Sequence, residues 1–182
     1  MINLHLWSDD DLNILHLTVG DPQIMQHLGG IESSEKILQR HQRYLKRVTP
    51  DKGEMFTIWL EPDSKIVGTT RFWEKTWKEE LIYETGWMVL PAYAGRGIAT
   101  KAARAVVALA ARHHKHRFLH AFPSVVNIAS NGVCNRAGFA NLGECTFEYP
   151  KGQFMLCNDW RIDLFKINGM VPTQEPVAPG WR

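Results

Sequence analysis

The chain opens with alternating hydrophobic and polar positions and continues into longer periodic segments. Ile2 to Leu6 alternates and predicts a short strand. Ser8, followed by three aspartates, predicts the start of a helix, because a hydroxyl caps the first turn and the helix dipole favours acidic residues there. This helix is expected to end near Gly20-Asp21-Pro22, and a second helix is expected from Ser34 to about Arg47.

Three strands in a meander are predicted next. Met55 to Leu60 and Lys65 to Trp73 have strand character, and the residues Glu61-Pro62-Asp63-Ser64 between them favour a tight turn. Leu81 to Leu90 predicts the third strand, which ends at Pro91. The segment from Lys75 to Glu80 is therefore expected to be an exposed loop between strands.

Helical spacing appears in the second half of the chain. Apolar residues recur at Ile98, Ala102, Val106 and Leu109, which predicts a helix from Gly97 to about His114. A strand, a short helix and a hairpin are predicted after it, at Phe118–Val126, at Ser130–Ala137, and at Thr146–Tyr149 with Met155–Phe165. Strands flanked by helices in this order predict a mixed α/β fold with a partly antiparallel central sheet.

Length and composition fit one folded domain. The 182 residues are 45% hydrophobic and 22% charged, within the range of globular proteins. A single domain is predicted over residues 1–166. Residues 167–182 contain three prolines and little periodicity, and they are predicted to form an extended tail.

Charge and cysteine content narrow the possible classes of function. The net charge is only +2, from 21 basic and 19 acidic side chains, which argues against a general nucleic-acid binder. Three cysteines without a close pair favour neither disulfides nor a zinc site, and they suit a reducing compartment. The chain shows no signal-peptide layout and no apolar run of membrane-spanning length. A cytoplasmic protein without a metal, nucleic-acid or membrane partner is expected, either as a monomer or as a homodimer.

A glycine-containing loop joins the third strand of the meander to the long helix. It reads Ala94-Gly95-Arg96-Gly97-Ile98-Ala99-Thr100. The first N–H groups of a helix have no partner within the helix, and glycines let an anion approach them, so this loop predicts a phosphate site. Neither the Rossmann fingerprint nor the P-loop fits, because Thr100 replaces the third small residue and no Gly-Lys-Ser/Thr opens the helix.

Three motifs together resemble the GNAT superfamily of acetyl-CoA-dependent N-acetyltransferases. The family signature Gln/Arg-x-x-Gly-x-Gly/Ala falls on residues 94–99, and its Asn-x-x-Ala/Ser pattern, closed by Gly-Phe, falls on Asn127, Ser130 and Gly138-Phe139. Upstream, Glu84-Thr85-Gly86-Trp87-Met88-Val89 is similar to the Glu-x-Gly-Tyr strand of the Rim-type branch, which includes ribosomal-protein N-terminal acetyltransferases. The resemblance covers residues 2 to 166. Two positions depart from it, with Ala94 at the first place of the signature and Cys134 where many relatives carry a tyrosine acid.

The resemblance implies a binding mode for acetyl-CoA. Met88, Val89 and Leu90 would pair with the pantetheine arm, and an N–H near Val89 would face the oxyanion that forms during transfer. The pyrophosphate would lie on the N–H groups of residues 95–100, beside Ala94, and Asn127 and Ser130 would contact the cofactor. No metal is implied.

The acid and base of the reaction have several candidates. Glu84 is the preferred base because an alkyl ammonium, with a pKa of about 10, must lose a proton before attack. A simple ion-paired strand carboxylate is the alternative. Ser130, Cys134 or water could protonate the leaving thiolate, although Cys134 also suits a buried helix position.

Other candidate residues have structural explanations beside the functional ones. His113, His114 and His116 suit a solvated helix end, and His120 suits a hydrogen-bonded strand position. Trp73 and Trp77 are candidates for the acceptor groove, where an aromatic face suits a cationic amine. The expected activity is direct acetyl transfer in a ternary complex to a small-molecule amine or a peptide N-terminus. The alternative is a non-catalytic acetyl-CoA sensor or scaffold.

Overall fold

The computed structural model describes residues 1–46, 52–149 and 151–167. Over these residues the chain forms seven strands: β1 Ile2–Leu6, β2 Gly53–Leu60, β3 Lys65–Trp77, β4 Glu80–Val89, β5 Phe118–Ala121, β6 Ala140–Glu148 and β7 Phe154–Asp163. Five α-helices accompany them: α1 Leu12–Val19, α2 Pro22–Met25, α3 Ser34–Lys46, α4 Ile98–Arg112 and α5 Ile128–Ala137. Single 3-10 turns lie at Asp9–Asp11, Pro91–Tyr93 and Leu164–Lys166.

The seven strands form one sheet in the order β1-β2-β3-β4-β5-β7-β6. The neighbouring strands are antiparallel except β4 and β5, which are parallel. Those two strands pair only at Tyr83 with Leu119 and at Glu84 with His120. Beyond Glu84 the remainder of β4 stays paired with β3 and separates from β5, which opens the middle of the sheet.

Helices cover both faces of the sheet, because alternate strand residues are apolar on each face. Helices α4 and α5 pack on one face against Phe56, Phe72 and Tyr83, with the small residues of α4 allowing close approach. Helices α1 to α3 pack on the other face around Met55 and Met88. Neighbouring residues such as Met55 and Phe56 therefore belong to different cores.

Caps predicted from the sequence are present at the helix starts. Ser8 and Asp11 form a capping box before α1, with the Asp11 carboxylate accepting from both the N–H and the hydroxyl of Ser8. The short helix α2 was not predicted. It begins with Pro22 and is capped by Asp21, whose carboxylate accepts the Ile24 N–H at 2.9 Å.

Three predicted boundaries are wrong. Strand β3 continues through Trp77, and the expected loop at Lys75 to Glu80 shrinks to a turn in which Lys78 and Glu79 have positive φ. Strand β5 ends at Ala121 and does not reach Val126, because Pro123 has no N–H to continue the ladder. Strand β6 begins at Ala140, well before the expected start at Thr146. Its first residues form an exposed and mostly polar edge, so they lack the alternating apolar pattern that indicates a strand.

The prediction that His113, His114 and His116 lie at a solvated helix end is also wrong for His116. His116 is buried, and its Nε2 lies 2.6 Å from Oε1 of Glu74. His120 agrees with its structural explanation: it is buried and its Nδ1 lies 2.6 Å from Oδ1 of Asp159. Arg47 and the tail from residue 168 onward lie outside the described residues. None of the helices in the described ranges is long and apolar enough to cross a membrane.

Candidate active site

The separation of β4 from β5 opens a large cavity. The cavity has a volume of about 840 Å³ and begins at Glu84, where the backbone pairing of the two strands stops. Its walls are the end of β4, the loop before α4 with the first turn of that helix, the residues after β5, the start of α5, and the segment around α2. The cavity therefore lies where the sheet itself is incomplete.

The loop between β4 and α4 presents backbone N–H groups to this cavity. Gly95 and Gly97 line the cavity with φ of 75° and 73°, a conformation that side chains disfavour. A Cβ built on either glycine meets no protein atom within 4 Å, so the space beside them is open. The Lys101 N–H donates to the Gly97 carbonyl and closes the first turn of α4. The N–H groups of the residues between them are available to an anion.

A buried hydroxyl adds to the same site. Thr100 lines the cavity and is only 8% exposed. Within the part of the chain that the structure describes, its Oγ1 has no hydrogen-bond partner. Leaving a buried hydroxyl unpaired costs about 1–3 kcal/mol, which a bound anion would offset. The loop, the helix start and Thr100 together fit a phosphate-bearing ligand.

The backbone of Val89 is directed into the opening between the strands. Leu90 donates its N–H to the Val67 carbonyl of β3 at 2.9 Å. Consecutive residues of a strand direct their backbone groups to opposite sides, so the Val89 N–H points away from β3 and towards the gap beside β5. A donor in this position can stabilise negative charge on a ligand oxygen.

Most residues predicted to bind the cofactor line this cavity. They are Met88, Val89, Ala94, Gly95, Gly97, Ile98, Ala99, Thr100, Asn127 and Ser130. Leu90 packs instead beside the core under α1, and the Arg96 guanidinium lies 5.4 Å from the centre of the Tyr93 ring. The side chain of Asn127 caps α5, with its Oδ1 accepting the Ser130 N–H at 3.0 Å.

Glu84 is a buried carboxylate at the edge of the cavity. It is 8% exposed, and Lys75 on the neighbouring strand places its Nζ 3.1 Å from Oε2. Burial raises the pKa of Glu84, while the charges of Lys75, Arg71 and His120 oppose that rise. The net effect is a pKa above the ordinary value, which suits a group that accepts a proton near neutral pH.

A second cavity lies on the other side of Glu84. Its volume is about 550 Å³. Its walls come from α3 and the segment before it, from the start of β2, from the middle of β3, and from residues at the β6–β7 turn. Six residues line both cavities: Leu28, Arg71, Trp73, Glu84, Phe147 and Tyr149. Glu84 therefore stands where the two cavities meet.

The sequence also matches a known domain over most of its length. Residues 2–140 match the acetyltransferase (GNAT) domain. The chain belongs to the GNAT acetyltransferase family. The predicted family and the predicted α/β fold are thereby confirmed. Strands β1 to β5 and helices α1 to α5 fall within the matched residues, and β6 and β7 follow them.

Solved GNAT structures with different acceptors share the fold. An enzyme from Salmonella typhimurium that modifies the N-terminal serine of ribosomal protein L7/L12 is 20% identical, with a TM-score of 0.72 over 89% of this chain and 94% of that one. Spermidine N-acetyltransferase from Vibrio cholerae, in complex with coenzyme A and spermine, is 16% identical, with a TM-score of 0.72 over 90% and 95%. The aminoglycoside acetyltransferase AAC(6')-Ib, in complex with coenzyme A, is 17% identical, with a TM-score of 0.73 over 90% and 95%. At these identities the likeness shows the fold.

The two tryptophans predicted for the acceptor groove lie in different surroundings. Trp73 lines both cavities of the GNAT domain. Trp77 lines neither, and its Nε1 donates to Oδ2 of Asp159 at 3.0 Å while its ring packs on Phe122 and Phe147. Trp77 has this position because β3 extends into the segment that was predicted to be an exposed loop.

The two candidate proton donors on α5 are also separated. Ser130 lines the larger cavity, but Cys134 is fully buried in the core and does not line it. Burial raises the pKa of the Cys134 thiol to about 12, so it remains protonated and has no contact with the cavity.

Several lining residues were not predicted from the sequence. Arg71 and Tyr149 line both cavities, and the α2 segment from Gln23 to Leu28 closes one side of the larger cavity. Arg71 had a detectable signal, because it precedes Trp73 by two positions and so shares its face of the strand. The other contacts depend on how distant segments pack.

Within the described ranges, no group of three or more His, Cys, Asp or Glu side chains is placed to hold a metal ion.

Proposed function

We propose that this GNAT domain transfers the acetyl group of acetyl-CoA to a primary amine by direct attack in a ternary complex. The position of Glu84 carries the proposal, since this buried carboxylate stands between a cavity with an anion-binding loop and a second cavity open to an acceptor. The relatives that bind coenzyme A support the choice of donor.

The larger cavity has the features needed for coenzyme A. Residues 95–100 supply N–H groups for a pyrophosphate, with Thr100 as an additional hydroxyl donor. The unpaired edge of β4 at Met88 and Val89 offers backbone groups to an amide-containing arm. Asn127 and Ser130 line the wall opposite this edge.

Glu84 acts as the base in this proposal. The acceptor nitrogen gives a proton to Glu84, directly or through a water molecule, and forms a bond to the acetyl carbon as the carbon–sulfur bond breaks. Acetyl-CoA supplies the activated thioester for this step. The Val89 N–H stabilises the charge that develops on the carbonyl oxygen. Ser130 or water protonates the thiolate, since Cys134 does not reach the cavity.

The acceptor is proposed to be a small-molecule amine or the N-terminal amine of a peptide. Relatives of the same fold act on both classes, as the L7/L12-modifying and spermidine-acetylating enzymes illustrate. Trp73 lines the acceptor cavity and offers an aromatic face to the approaching ammonium.

The test is release of free coenzyme A thiol from acetyl-CoA in the presence of amino acids, polyamines, aminoglycosides and short peptides with different first residues. Calorimetry with acetyl-CoA alone provides the parallel binding measurement. Thiol release that depends on an amine supports the proposal. Tight binding without release for any acceptor would contradict it and favour a sensor or scaffold.

A further inference from the structure

We infer that the acceptor amine carries an anionic group, most simply a carboxylate, and that Arg71 binds this anion while the amine meets Glu84. The inference rests on the proposed acetyl transfer and specifies its acceptor. It follows from the position of one arginine, from the absence of a carboxylate ion-paired with it among the described residues, and from the charge of the cavity that it lines.

Arg71 faces the junction of the two cavities. It lies on β3 two residues before Trp73, so both side chains are on the same face of the sheet. Its guanidinium stacks over the Trp73 ring at 4.6 Å, which holds the charge in a fixed place. The residue paired with it on β4 is Gly86, and a Cβ built there would lie 3.6 Å from the guanidinium. The absence of a side chain at Gly86 leaves space beside Arg71.

Within the described residues, no carboxylate forms an ion pair with Arg71. The carboxylates of the second cavity have other partners: Glu32 pairs with Arg40, Glu84 with Lys75, and Glu54 lies 3.6 Å from His113. The charges of Arg71 and Glu84 influence each other, but no described carboxylate lies within ion-pair distance of the half-buried guanidinium, whose planar donors match a carboxylate. Arg71 is therefore a preformed site for an anion that comes from a ligand.

The cavity around Arg71 is positively charged. Seven basic side chains and three carboxylates line it. Four of the basic residues stand at its rim and make no ion pair within the described ranges: Lys36, Arg43, Lys52 and Lys151. Such a rim attracts anionic molecules and repels polycations such as polyamines.

The spacing of Arg71 and Glu84 limits the size of the acceptor. Glu84 pairs with Trp73, two residues along β3 from Arg71, and two residues of a strand span roughly 7 Å. An amine and a carboxylate at about this separation occur in an amino dicarboxylate and at the start of a peptide whose first residue is acidic. Both sources present the same chemistry to Arg71 and Glu84.

The test compares each acidic acceptor with the amide of the same size, which lacks only the distal anion, and adds polycationic or basic acceptors as a contrast. Thiol release is measured with free glutamate, with free glutamine and with spermidine, and then with short peptides that begin with Glu, Gln or Lys. We expect kcat/KM to be at least tenfold higher for the acidic acceptor than for its amide in one of the two series. The series that responds identifies the source as a small molecule or a peptide. Equal rates for acid and amide, or a preference for spermidine or the Lys peptide, would overturn the inference while leaving the acetyl transfer intact.

Variants of Arg71 test whether this residue causes the preference for an acidic acceptor. Arg71→Met is expected to lower kcat/KM for the acidic acceptor at least tenfold, chiefly through KM, and to change the amide acceptor little; Arg71→Lys is expected to restore part of the loss. Arg117→Met, an exposed residue outside both cavities, is the matched control. Calorimetry with acetyl-CoA distinguishes the acetyl-CoA site from the acceptor site. A tenfold weaker affinity of Arg71→Met for acetyl-CoA would mean that Arg71 binds the donor, and it would refute the inference. Absence of thiol release with every amine in wild type would instead refute the proposed acetyl transfer.

Discussion

The ammonium of Lys75 lies 3.1 Å from Oε2 of Glu84, across the pair of strands that borders both cavities. Without this contact the buried carboxylate would be more costly to ionise, because burial is the largest influence on the Glu84 pKa and Lys75 is the largest opposing one. Lys75 thus holds the pKa of the proposed base below the level that burial alone would set. The relationship links the stability of a buried charge to the pH at which the reaction proceeds.

Lys75→Met is expected to move the acid limb of the pH profile of kcat/KM to higher pH. Removal of the positive charge raises the pKa of Glu84 further, so a higher pH is needed to obtain the deprotonated base. The measurement is the pH dependence of thiol release. Lys65→Met removes an exposed lysine that is paired with Asp63 and should leave the limb in place. An unshifted limb in Lys75→Met would show that another group titrates.

Glu84→Gln should lower kcat by about 10²–10⁴, the usual contribution of a general base. The amide retains the size of the carboxylate, so the affinity for acetyl-CoA should be unchanged by calorimetry. Glu80→Gln is the matched control, since it changes an exposed carboxylate at the other end of the same strand. Wild-type turnover in Glu84→Gln would show that Glu84 is not the base and that it is only an ion-paired strand residue.

Gly97→Trp should abolish detectable binding of acetyl-CoA. The left-handed backbone disfavours any side chain there, and the open space beside Gly97 belongs to the cavity, so the indole would occupy the anion site. Gly143→Trp imposes a similar backbone strain on the exposed edge strand β6, away from the cavity. We expect that control to bind acetyl-CoA normally, and unchanged affinity in Gly97→Trp would refute the phosphate site.

Local patterns were enough to predict several of the elements that line the larger cavity. The glycines at 95 and 97, the helical spacing after them and the Asn127 cap are all encoded within a few residues of one another. Backbone conformation and helix capping depend on such short-range interactions. This is why the loop before α4 and the helix itself agree with the sequence analysis, while α5 begins two residues before its predicted start at Ser130.

The second cavity depends on contacts between distant segments. Nothing near Arg71 in the sequence indicates that Gly86 will lie opposite it, or that α3 and the β6–β7 turn will bring further cations around it. The edge strand β6 was partly missed because an exposed strand does not need alternating apolar residues. The burial of Cys134 likewise follows from how α5 rotates against the sheet, which weak amphipathicity over ten residues does not fix.

Substitutions on α5 should separate the two candidate proton donors. Cys134→Ala is expected to keep kcat within about twofold, since the thiol does not line the cavity, and to lower the free energy of unfolding by about 1 kcal/mol through the lost packing. Ser130→Ala should lower kcat if the hydroxyl protonates the thiolate. The measurements are thiol release and urea unfolding. A large loss of kcat in Cys134→Ala, with the fold retained, would return the thiol to the mechanism.

Asp159→Asn should destabilise the protein at neutral pH. Burial alone would raise the pKa of Asp159, but hydrogen bonds from His120 and Trp77 outweigh burial and hold the pKa below its ordinary value. A carboxyl whose pKa is depressed in the folded state adds stability above the unfolded pKa, and that stability is lost as the pH falls through the folded pKa. We expect Asp159→Asn to lower the free energy of unfolding at pH 7 by about 1.5–3 kcal/mol, the worth of hydrogen bonds to a charged group.

The difference between wild type and Asp159→Asn should persist down to the ordinary aspartate pKa of about 4 and should narrow below it. Urea unfolding across that pH range is the measurement. Asp63→Asn, which changes an exposed aspartate beside Lys65, should have little effect at any pH. Because Asp159 holds His120, and His120 pairs with Glu84 across the point where the sheet divides, the same variant should also lower kcat. Full activity together with reduced stability would limit the Asp159–His120 contact to the fold.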